Sequence, residues 1–323
     1  MPAVCVSQSR GQNGDRTTVE KEGIMARTSL KDLKGSIVAL ITPFAEDGSV
    51  DFDELGKLID FHLENGTDAI LVLGTTGESS TMSHEEDDAV CEFAVKRIDG
   101  RVPVIAGSGS NCTQTMLEKS LRYQELGVDG LLTITPYYNK ANEEGMYQHF
   151  KTVLDAVDIP CILYNVPSRT GCSISENVIS RICSHPNALG IKEASGSIAY
   201  ASRIARYLSD DFFMFSGNDD MVIPLMSLGA RGVISVWANV APKTVHNMVF
   251  DWFEGNHEAA LKTQLDNLDL VAALFCEVNP IPVKAGVEML GLAKANYRLP
   301  LAPMSDANRE RLAAAMKAQG LIA

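Results

Sequence analysis

Between Lys34 and Phe253, short apolar segments alternate with longer segments of helical periodicity, and this alternation strongly restricts the fold of the chain. The apolar segments predict strands at residues 35–42, 68–73, 102–106, 130–135, 160–164, 187–192, 212–216 and 232–236. They are nearly continuous in apolar residues, as expected of strands that are buried on both faces of a sheet. Strict alternation of strands with helices favours a parallel sheet.

Helical spacing fills the intervals between the predicted strands. The predicted helices cover residues 53–63, 113–126, 143–157, 175–183, 198–208, 219–228 and 242–253, and one more begins at Ser83. Ser83 is followed three residues later by Glu86, which is the pattern of a capping box. The adjacent carboxylates of Asp219 and Asp220 are interpreted as a helix N-terminus and not as a pair of metal ligands.

Two architectures fit these eight repeats, a closed (β/α)8 barrel and an open doubly wound sheet. Such a barrel takes about 250 residues, which agrees with the length of the repeating region. The dinucleotide-binding fingerprint of the open sheet is incomplete, because Gly107-Ser-Gly109 supplies only two of its three glycines. That fragment is interpreted as a tight turn. The prediction is therefore an α/β fold, a (β/α)8 TIM barrel formed by residues 34–255.

The barrel pattern is flanked by two different segments. Residues 256–323 contain helical spacing at 257–278, 281–290 and 305–319, which predicts a C-terminal helical domain for packing or subunit contact. Asn279-Pro-Ile-Pro282 between them predicts an extended corner. Residues 1–33 are polar, lack periodicity and lack the apolar core of a secretory signal, so a disordered N-terminal tail is predicted. Met25 is an alternative start to Met1.

The composition narrows the functional classes. The net charge of −13 argues against nucleic-acid binding. No apolar run reaches the roughly 18 residues that a membrane span needs. The seven cysteines are scattered without a CxxC pair, which favours reduced thiols in a cytoplasmic protein and argues against a zinc site. The six histidines are dispersed without an HExxH motif, so neither a metal nor a cofactor is predicted.

The segment Gly190–Gly196 contains a lysine at the end of the sixth predicted strand. Active sites of (β/α)8 barrels lie at the C-terminal ends of the strands. Burial there favours the neutral amine of Lys192, and a neutral amine can attack a ketone to form a Schiff base. On this segment alone, a lysine that extends from a strand end into solvent is the simpler interpretation.

Three further strand ends carry groups that suit the same chemistry. They are Thr75 and Thr76 after the second strand, Tyr137 and Tyr138 after the fourth, and Tyr164 and Arg169 at the end of the fifth. Each alone has an ordinary explanation, such as a turn, aromatic packing or a solvated loop cation. Together with Lys192 they provide an amine for a keto acid, hydroxyls that relay protons, donors for a carboxylate and a guanidinium for a second acid.

Four motifs carry a resemblance to a known family. They are GTTGES (74–79), TPYYN (135–139), YNVPSRTG (164–171) and GIKEASG (190–196). In this order and spacing the chain resembles the dihydrodipicolinate synthases of the pyruvate-dependent class I aldolase family. The resemblance runs from about Lys34 to the C-terminus and includes NPIPVK (279–284) and RLPLAP (298–303). It implies the condensation of pyruvate with L-aspartate 4-semialdehyde to 4-hydroxytetrahydrodipicolinate, on the route to lysine and diaminopimelate.

The resemblance also implies roles for individual residues. Lys192 would form the Schiff base with pyruvate, and Tyr164 would be the acid and base of the reaction. Thr75 and Tyr138 would complete a proton relay, with Tyr138 reaching in from a neighbouring subunit of a homotetramer that is a dimer of dimers. The other substrate contacts would come from Thr76 on the pyruvate carboxylate, Arg169 on the semialdehyde carboxylate, and backbone groups of Gly217 and Ile234.

One departure from the family pattern concerns feedback inhibition. Lysine-inhibited bacterial members bind lysine at a subunit interface, and the matching residues here are Ser79, His84, Asn111 and Tyr137. Asp87 and Thr115 stand where a histidine and a glutamate are usual. Because the glutamate that would hold the amine of lysine is missing, weak or absent inhibition by lysine is expected.

Two alternatives remain open at this point. N-acetylneuraminate lyases and 2-keto-3-deoxy-sugar acid aldolases share the lysine and both tyrosine-bearing strand ends, but Arg169 favours an acidic second substrate over a sugar. A non-catalytic barrel that binds keto acids is the other alternative. The complete set of Lys192, Tyr164, Tyr138 and Thr75 argues against it, because a silent site has no need of all four.

Overall fold

The computed structural model describes residues 30–323, in which eight parallel strands form a closed barrel in sequence order, with β1 paired to β8. The strands are β1 Gly35–Ala39, β2 Ala69–Val72, β3 Val104–Gly107, β4 Gly130–Ile134, β5 Cys161–Asn165, β6 Ala188–Glu193, β7 Phe213–Ser216 and β8 Gly232–Ser235. Each lies within its predicted segment or extends one residue past it. The predicted TIM barrel is confirmed.

Helices follow the strands and surround the barrel. They are α1 Phe52–Glu64, α2 His84–Ile98, α3 Thr113–Glu125, α4 Glu143–Ala156, α5 Pro167–Thr170, α6 Glu176–Ile182, α7 Ile198–Ile204, α8 Val222–Met226 and α9 Pro242–Phe253. The predicted capping box is present, since the Ser83 hydroxyl accepts from the backbone N–H of Glu86, whose carboxylate accepts from the backbone N–H of Ser83. Two of the predicted helices are partly 3-10 helix, at Ala205–Tyr207 after α7 and at Asp219–Met221 before α8.

Two apolar cores hold this architecture together. One fills the barrel interior and includes Ile37, Leu71, Ile105, Leu132 and Phe215. The other lies between the strands and the helices and is considerably larger. Strands with apolar cores on both faces explain why the sequence segments are continuous in apolar residues, because successive side chains point to opposite faces.

The structured region includes residues that the sequence assigns to the N-terminal tail. Leu30–Asp32 form a 3-10 helix, and Leu30 and Leu33 are buried in the core of the barrel interior. The apolar side chains of this short segment explain why it packs there, since their burial removes apolar surface from water. The rest of the predicted tail, residues 1–29, lies outside the described residues.

Four helices follow the barrel, where the sequence predicts three. They are α10 His257–Asp266, α11 Leu268–Leu274, α12 Ile281–Met289 and α13 Asp306–Ala318. The single predicted helix 257–278 was wrong in two respects, because it is interrupted at Asn267 and ends at Leu274. The Asn267 side chain donates to the Thr263 carbonyl at 2.9 Å, a local bond that competes with the helical backbone bonds.

The predicted extended corner at 279–282 was also wrong beyond its first residues. Ile281 and Pro282 already belong to the first turn of α12. Proline is tolerated there because an N–H in the first turn has no helical partner. The division into a barrel domain and a C-terminal helical domain stays a prediction. Within residues 30–323, no helix is long and apolar enough to span a membrane.

Candidate active site

The strand register brings the two central side chains of the candidate site together. Tyr164 on β5 is paired directly with Lys192 on β6. In a closed parallel barrel, residues at equivalent heights on neighbouring strands point to the same face. The Lys192 Nζ therefore lies over the Tyr164 ring, 4.3 Å from its centroid.

Lys192 and Tyr164 line a cavity of about 200 Å³ at the C-terminal ends of the strands. The other polar and small residues on its wall are Gly74, Thr75, Thr76, Ser168, Arg169, Gly217, Asn218 and Asn279. Five of the sequence-predicted site residues are therefore collected with Lys192 around one space, namely Thr75, Thr76, Tyr164, Arg169 and Gly217. A space of this size suits a small keto acid.

Lys192 has the electrostatic surroundings of a nucleophilic amine. Its residue is only 6% exposed. Burial lowers the pKa of Lys192 to about 7, with a smaller lowering contribution from the Arg169 guanidinium and an opposing one from the Asp219 carboxylate. A substantial fraction of the amine is therefore neutral near pH 7, which is the form that attacks a carbonyl.

Gly217 makes room for the lysine side chain. A Cβ atom at this position would lie 3.1 Å from the Cε and Cγ atoms of Lys192 and 2.7 Å from the Cβ atom of Ala194. The backbone N–H of Gly217 donates to the Glu193 carbonyl at 2.7 Å, so that N–H is already in use. A side chain at this position would therefore crowd Ala194 and the aliphatic part of Lys192.

Tyr164 is a protonated phenol at neutral pH. Burial raises its pKa to about 12, while the Arg169 guanidinium and a hydrogen bond with the Thr75 side chain oppose that increase. Its residue is 7% exposed. A phenol that carries its proton beside a partly neutral amine can donate that proton to an oxygen that develops charge.

The loop after β2 presents Thr75 and Thr76 in a constrained backbone conformation. Leu73, just before it, has a φ angle of 58°, in the left-handed region that a branched residue adopts at a cost. The Leu73 carbonyl packs so closely on Gly107 that a Cβ there would lie 2.2 Å away. Gly107 is the last residue of β3, so the fragment predicted as a tight turn allows a close strand contact instead.

Arg169 stands at the rim of the cavity. It belongs to α5, a short helix that the sequence interpretation did not include. Its side chain is exposed, and its Nη2 donates to the Asn279 carbonyl at 3.3 Å. A guanidinium with most of its donors free at a cavity mouth is well suited to receive a carboxylate from solvent.

Two of the predicted catalytic and substrate-binding residues do not line this cavity. Tyr138 is 91% exposed and has a φ angle of 70°. Ile234 is 1% exposed and belongs to the core of the barrel interior. Tyr138 lies on the loop after β4, as the sequence predicts, and outside this cavity.

Asp219 is a residue of the site that the sequence interpretation did not recognise. It is 2% exposed, and one carboxylate oxygen accepts from the backbone N–H groups of Val236 and Trp237 at 3.0 and 2.9 Å. Burial raises the pKa of Asp219, and these hydrogen bonds together with the charge of Lys192 oppose the increase. The sequence offered only the adjacent pair Asp219-Asp220, whose first member is the one that turns inward.

Glu193 and Asn165 form a second unrecognised pair, on the side of the strands away from the cavity. Asn165 donates from Nδ2 to the Glu193 carboxylate at 2.8 Å, and that carboxylate also accepts from the backbone N–H of Ser195 at 2.7 Å. These bonds fix the ends of β5 and β6 beside Tyr164 and Lys192. The sequence could have indicated this pair only by position, because Asn165 directly follows Tyr164 and Glu193 directly follows Lys192.

A larger cavity of about 530 Å³ shares Gly74, Thr75, Tyr164 and Arg169 with the first and extends outward. Of the residues matched to the family's lysine site, it is lined by Ser79, His84 and Tyr137, together with Asp87 and Thr115. Asn111 is not on its wall, and its carbonyl accepts from Asn139 at 2.9 Å.

Asp87 already has a cationic partner within this chain. Lys119 donates to its carboxylate at 2.8 Å, and the two side chains are 13% and 2% exposed respectively. Burial raises the pKa of Asp87, and Lys119 opposes that change most strongly. Within residues 30–323, no group of histidine, cysteine, aspartate and glutamate side chains could hold a metal ion.

Comparison with known proteins gives a consistent result. The model of the dihydrodipicolinate synthetase family matches residues 32–319. A 4-hydroxy-tetrahydrodipicolinate synthase of Alkaliphilus oremlandii is 50% identical over 289 residues, which cover 90% of this chain and 99% of the relative.

Solved structures agree with this result. The crystal structure of a dihydrodipicolinate synthase from Aquifex aeolicus is 46% identical, with a TM-score of 0.87 over 90% of this chain and 99% of that one. The chloride-inhibited dihydrodipicolinate synthase of Acinetobacter baumannii, solved in complex with pyruvate, is 42% identical, with a TM-score of 0.87 and the same coverage.

Proposed function

The chain belongs to the dihydrodipicolinate synthetase family, and we propose that Lys192 is the residue at which it forms a Schiff base with pyruvate. The activity of the chain is that of a 4-hydroxy-tetrahydrodipicolinate synthase, a lyase of the class I aldolase type. It condenses pyruvate with L-aspartate 4-semialdehyde in lysine and diaminopimelate biosynthesis. Relatives with this activity match over nine-tenths of the chain, which leaves the sugar-acid aldolases without support.

The observation that carries the proposal is the buried amine of Lys192, with its pKa of about 7 and its place in a small polar cavity. The lone pair of Nζ attacks the keto carbon of pyruvate, and the former carbonyl oxygen leaves as water to give the imine. Loss of a methyl proton converts the imine to an enamine. The enamine carbon then bonds to the aldehyde carbon of the semialdehyde, whose oxygen takes up a proton.

The closing step releases the enzyme. The amino group of the bound semialdehyde portion attacks the imine carbon, and Nζ of Lys192 leaves as the amine when the ring forms. Each step moves a proton to or from oxygen or nitrogen. We assign this transfer to the Tyr164 hydroxyl, because the Tyr164 ring lies against the amine and the pKa of about 12 keeps the hydroxyl protonated between steps. Thr75, its hydrogen-bond partner, is the next member of the relay.

Two carboxylates need partners in this reaction. Thr76 lies on the cavity wall close to the lysine, and a hydroxyl there suits the carboxylate of pyruvate. Arg169 stands at the mouth, where it would meet the carboxylate of L-aspartate 4-semialdehyde with a two-point contact. Backbone groups of Gly217 and Ile234 complete the predicted set, and Gly217 is the one of these two that borders the cavity.

Tyr138 would complete the relay in the site of a second subunit. Two observations support this proposal. Tyr138 is 91% exposed, and its φ angle lies in the left-handed region, which an aromatic residue adopts at a cost in free energy. We propose a homotetramer built as a dimer of dimers, with Tyr138 crossing the tighter interface. Mixing Y138F subunits with K192M subunits tests this, because hybrid dimers would regain one intact site. Unchanged activity after subunit exchange would contradict the crossing.

Lysine should inhibit this enzyme weakly or not at all. Asp87 stands on the wall of the outer cavity with its carboxylate already engaged by Lys119, so this carboxylate is not free to replace the missing glutamate. Thr115 provides no carboxylate in compensation. Activity measured against lysine tests this expectation, and strong inhibition at submillimolar lysine would contradict it.

We also propose a cytoplasmic location. The six cysteines of the described residues are all free thiols, as expected in a reducing compartment. Fractionation of cells that express the native chain tests this proposal.

The function itself is tested by reductive trapping. Intact protein is incubated with pyruvate, reduced with borohydride and weighed by mass spectrometry, and its peptides are then mapped. One pyruvate adduct per chain on the peptide that contains Lys192 is expected. The matched control is K294M, which removes an exposed lysine paired with Glu46 and should still give the adduct. Folded wild-type protein without an adduct would refute the proposed mechanism.

A further inference from the structure

The C-terminal helices reach into the loop that carries the two active-site threonines. We call residues 74–81, between β2 and α2, the threonine loop. Asn279 donates from Nδ2 to the Thr76 hydroxyl at 3.0 Å, and both groups are buried. Asn279 precedes α12 and is 203 residues away in sequence. A residue outside the barrel repeats thus holds the hydroxyl that is proposed to receive pyruvate.

The second contact is a fully buried ion pair. Lys284 on α12 donates from Nζ to the Glu78 carboxylate at 2.6 Å, and their side chains are 0% and 1% exposed. The Lys284 Nζ also lies 4.2 Å from the centroid of the Phe44 ring. Burial raises the pKa of Glu78 and lowers that of Lys284, and the attraction within the pair opposes both changes.

Such a pair is a weak source of stability. Removing two charges from water costs about as much as their attraction returns, and apolar replacements of similar size are often at least as stable. The second carboxylate oxygen of Glu78 has no hydrogen-bond partner within the described residues, which adds to the cost. The pair therefore needs an explanation beyond the stability of the fold.

The backbone of the threonine loop provides that explanation. Glu78 has a φ angle of 54°, and Leu73, just before the loop, has one of 58°. This left-handed conformation costs a non-glycine residue conformational free energy, so it persists only where the surrounding structure imposes it. Thr75 and Thr76 lie between these two positions, so their hydroxyl directions depend on both being held.

The far end of the loop is held by a third residue of the C-terminal region. Arg298 donates from Nη1 to the Thr81 carbonyl at 2.9 Å and binds the Glu86 carboxylate with both terminal nitrogens. Glu86 belongs to the capping box of α2, so the guanidinium ties the loop end to the helix start. Residues of the C-terminal region therefore contact the threonine loop near its middle, at Thr76 and Glu78, and at its last residue, Thr81.

We propose that Lys284, with Glu78, is a positioning device that fixes the Thr76 hydroxyl for the carboxylate of pyruvate and the Thr75 hydroxyl for the proton relay. Asn279 acts on Thr76 in the same way. This inference rests on the proposed function, since it takes Thr75 and Thr76 as the groups that meet pyruvate and the relay. It gives the C-terminal helices a part in catalysis, in addition to packing.

The test separates positioning from stability with one double variant. K284M leaves the Glu78 carboxylate buried without its partner, so its thermal midpoint should fall. E78M/K284M removes both charges and should recover the midpoint. The readout is the pyruvate concentration that gives half-maximal trapping at Lys192. We expect it to remain raised by about 10- to 100-fold in the recovered double variant, because small misplacements of a binding group carry losses of that order.

Two further variants keep the test decisive. K294M breaks the exposed pair with Glu46 in the same C-terminal region and should leave the pyruvate requirement unchanged. N279A removes only the contact with Thr76 and should raise the pyruvate requirement even if the double variant does not fold. A stable double variant, or a stable N279A, with a requirement within about twofold of wild type would overturn the inference. Failure of the wild-type protein to be trapped would instead refute the proposed function.

Discussion

Two lysines are buried within residues 30–323, Lys192 and Lys284, and they differ in the group that contacts the amine. Lys284 has the Glu78 carboxylate at 2.6 Å, and the attraction of this anion opposes the lowering of the Lys284 pKa by burial. Lys192 forms no ion pair within residues 30–323, and its amine lies over the ring of Tyr164. The Asp219 carboxylate only partly opposes the lowering of the Lys192 pKa by burial. Burial alone therefore does not make a nucleophile. The absence of a direct anion does, because the neutral amine is then the favoured form.

The two lysines should respond oppositely to the same substitution, and this is the largest expected effect. K192M should abolish turnover, a loss of more than about 10³-fold, because no Schiff base can form. Its thermal midpoint should not fall, because the substitution removes a desolvated amine. K284M should lose about 3–5 kcal/mol of unfolding free energy, because Glu78 is left buried and unpaired.

Steady-state assays and denaturant unfolding of both variants measure this contrast. A strongly destabilised K192M together with a stable K284M would contradict the account of the two lysines.

A substitution at Tyr164 can separate the contribution of its ring from that of its hydroxyl. Y164F keeps the ring against which the Lys192 amine lies but removes the proton donor. We expect kcat to fall by about 10²- to 10⁴-fold, as is usual for the loss of a general acid and base. Trapping of pyruvate should persist at a slower rate. Turnover within tenfold of wild type would show that the Tyr164 hydroxyl is not the proton donor. The control is Y200F, which removes a hydroxyl that donates to the Ile174 carbonyl.

Asp219 tests the remaining charge near the nucleophile. Its carboxylate raises the pKa of Lys192 against the effect of burial. D219N should therefore shift the pH dependence of Schiff-base formation to lower pH, since the ammonium form loses an attraction. The effect on turnover should be smaller than that of Y164F, about tenfold or less. A shift to higher pH would contradict this role, and D220N provides the matched control on the neighbouring residue.

The free energy of unfolding should also depend on pH because of the lowered pKa of Lys192, and this effect is the smallest of those expected. The pKa of Lys192 is lowered from 10.5 to about 7 in the folded chain, so between these values the unfolded chain binds more protons. Stability then rises with pH across that window, by at most about 1.4 kcal/mol per pH unit, and the gain is absent below about pH 7. The difference in unfolding free energy between wild type and K192M should follow this slope. A difference that is flat from pH 7 to 10 would contradict the lowered pKa.

The sequence was most informative where one physical pattern decides the structure. Burial on both faces makes each strand a continuous apolar segment, so all eight strands could be predicted to within a few residues. Lys192 and Tyr164 could be found because they close two such segments. Family motifs then supplied the threonines and Arg169, and the cavity brings these residues together.

Contacts between distant segments were beyond sequence reasoning. Glu78 and Lys284 are 206 residues apart, and nothing in either segment indicates that they meet in the interior. Asp219 and Asp220 are identical in sequence terms, and only the turn of the backbone decides which one is buried. The break at Asn267 likewise depends on one side-chain hydrogen bond, which helical periodicity does not report.

The pH dependence of Schiff-base formation with pyruvate tests directly whether Lys192 reacts as a buried amine of lowered pKa. Wild-type protein is mixed with subsaturating pyruvate at a series of pH values and reduced after short times, and the adduct on the Lys192 peptide is quantified. We expect a rate that rises with pH and reaches half its maximum near pH 7, the pKa of Lys192. A rate that is still rising at the ordinary pKa of lysine, about 10.4, or an adduct on the Lys284 peptide, would contradict it.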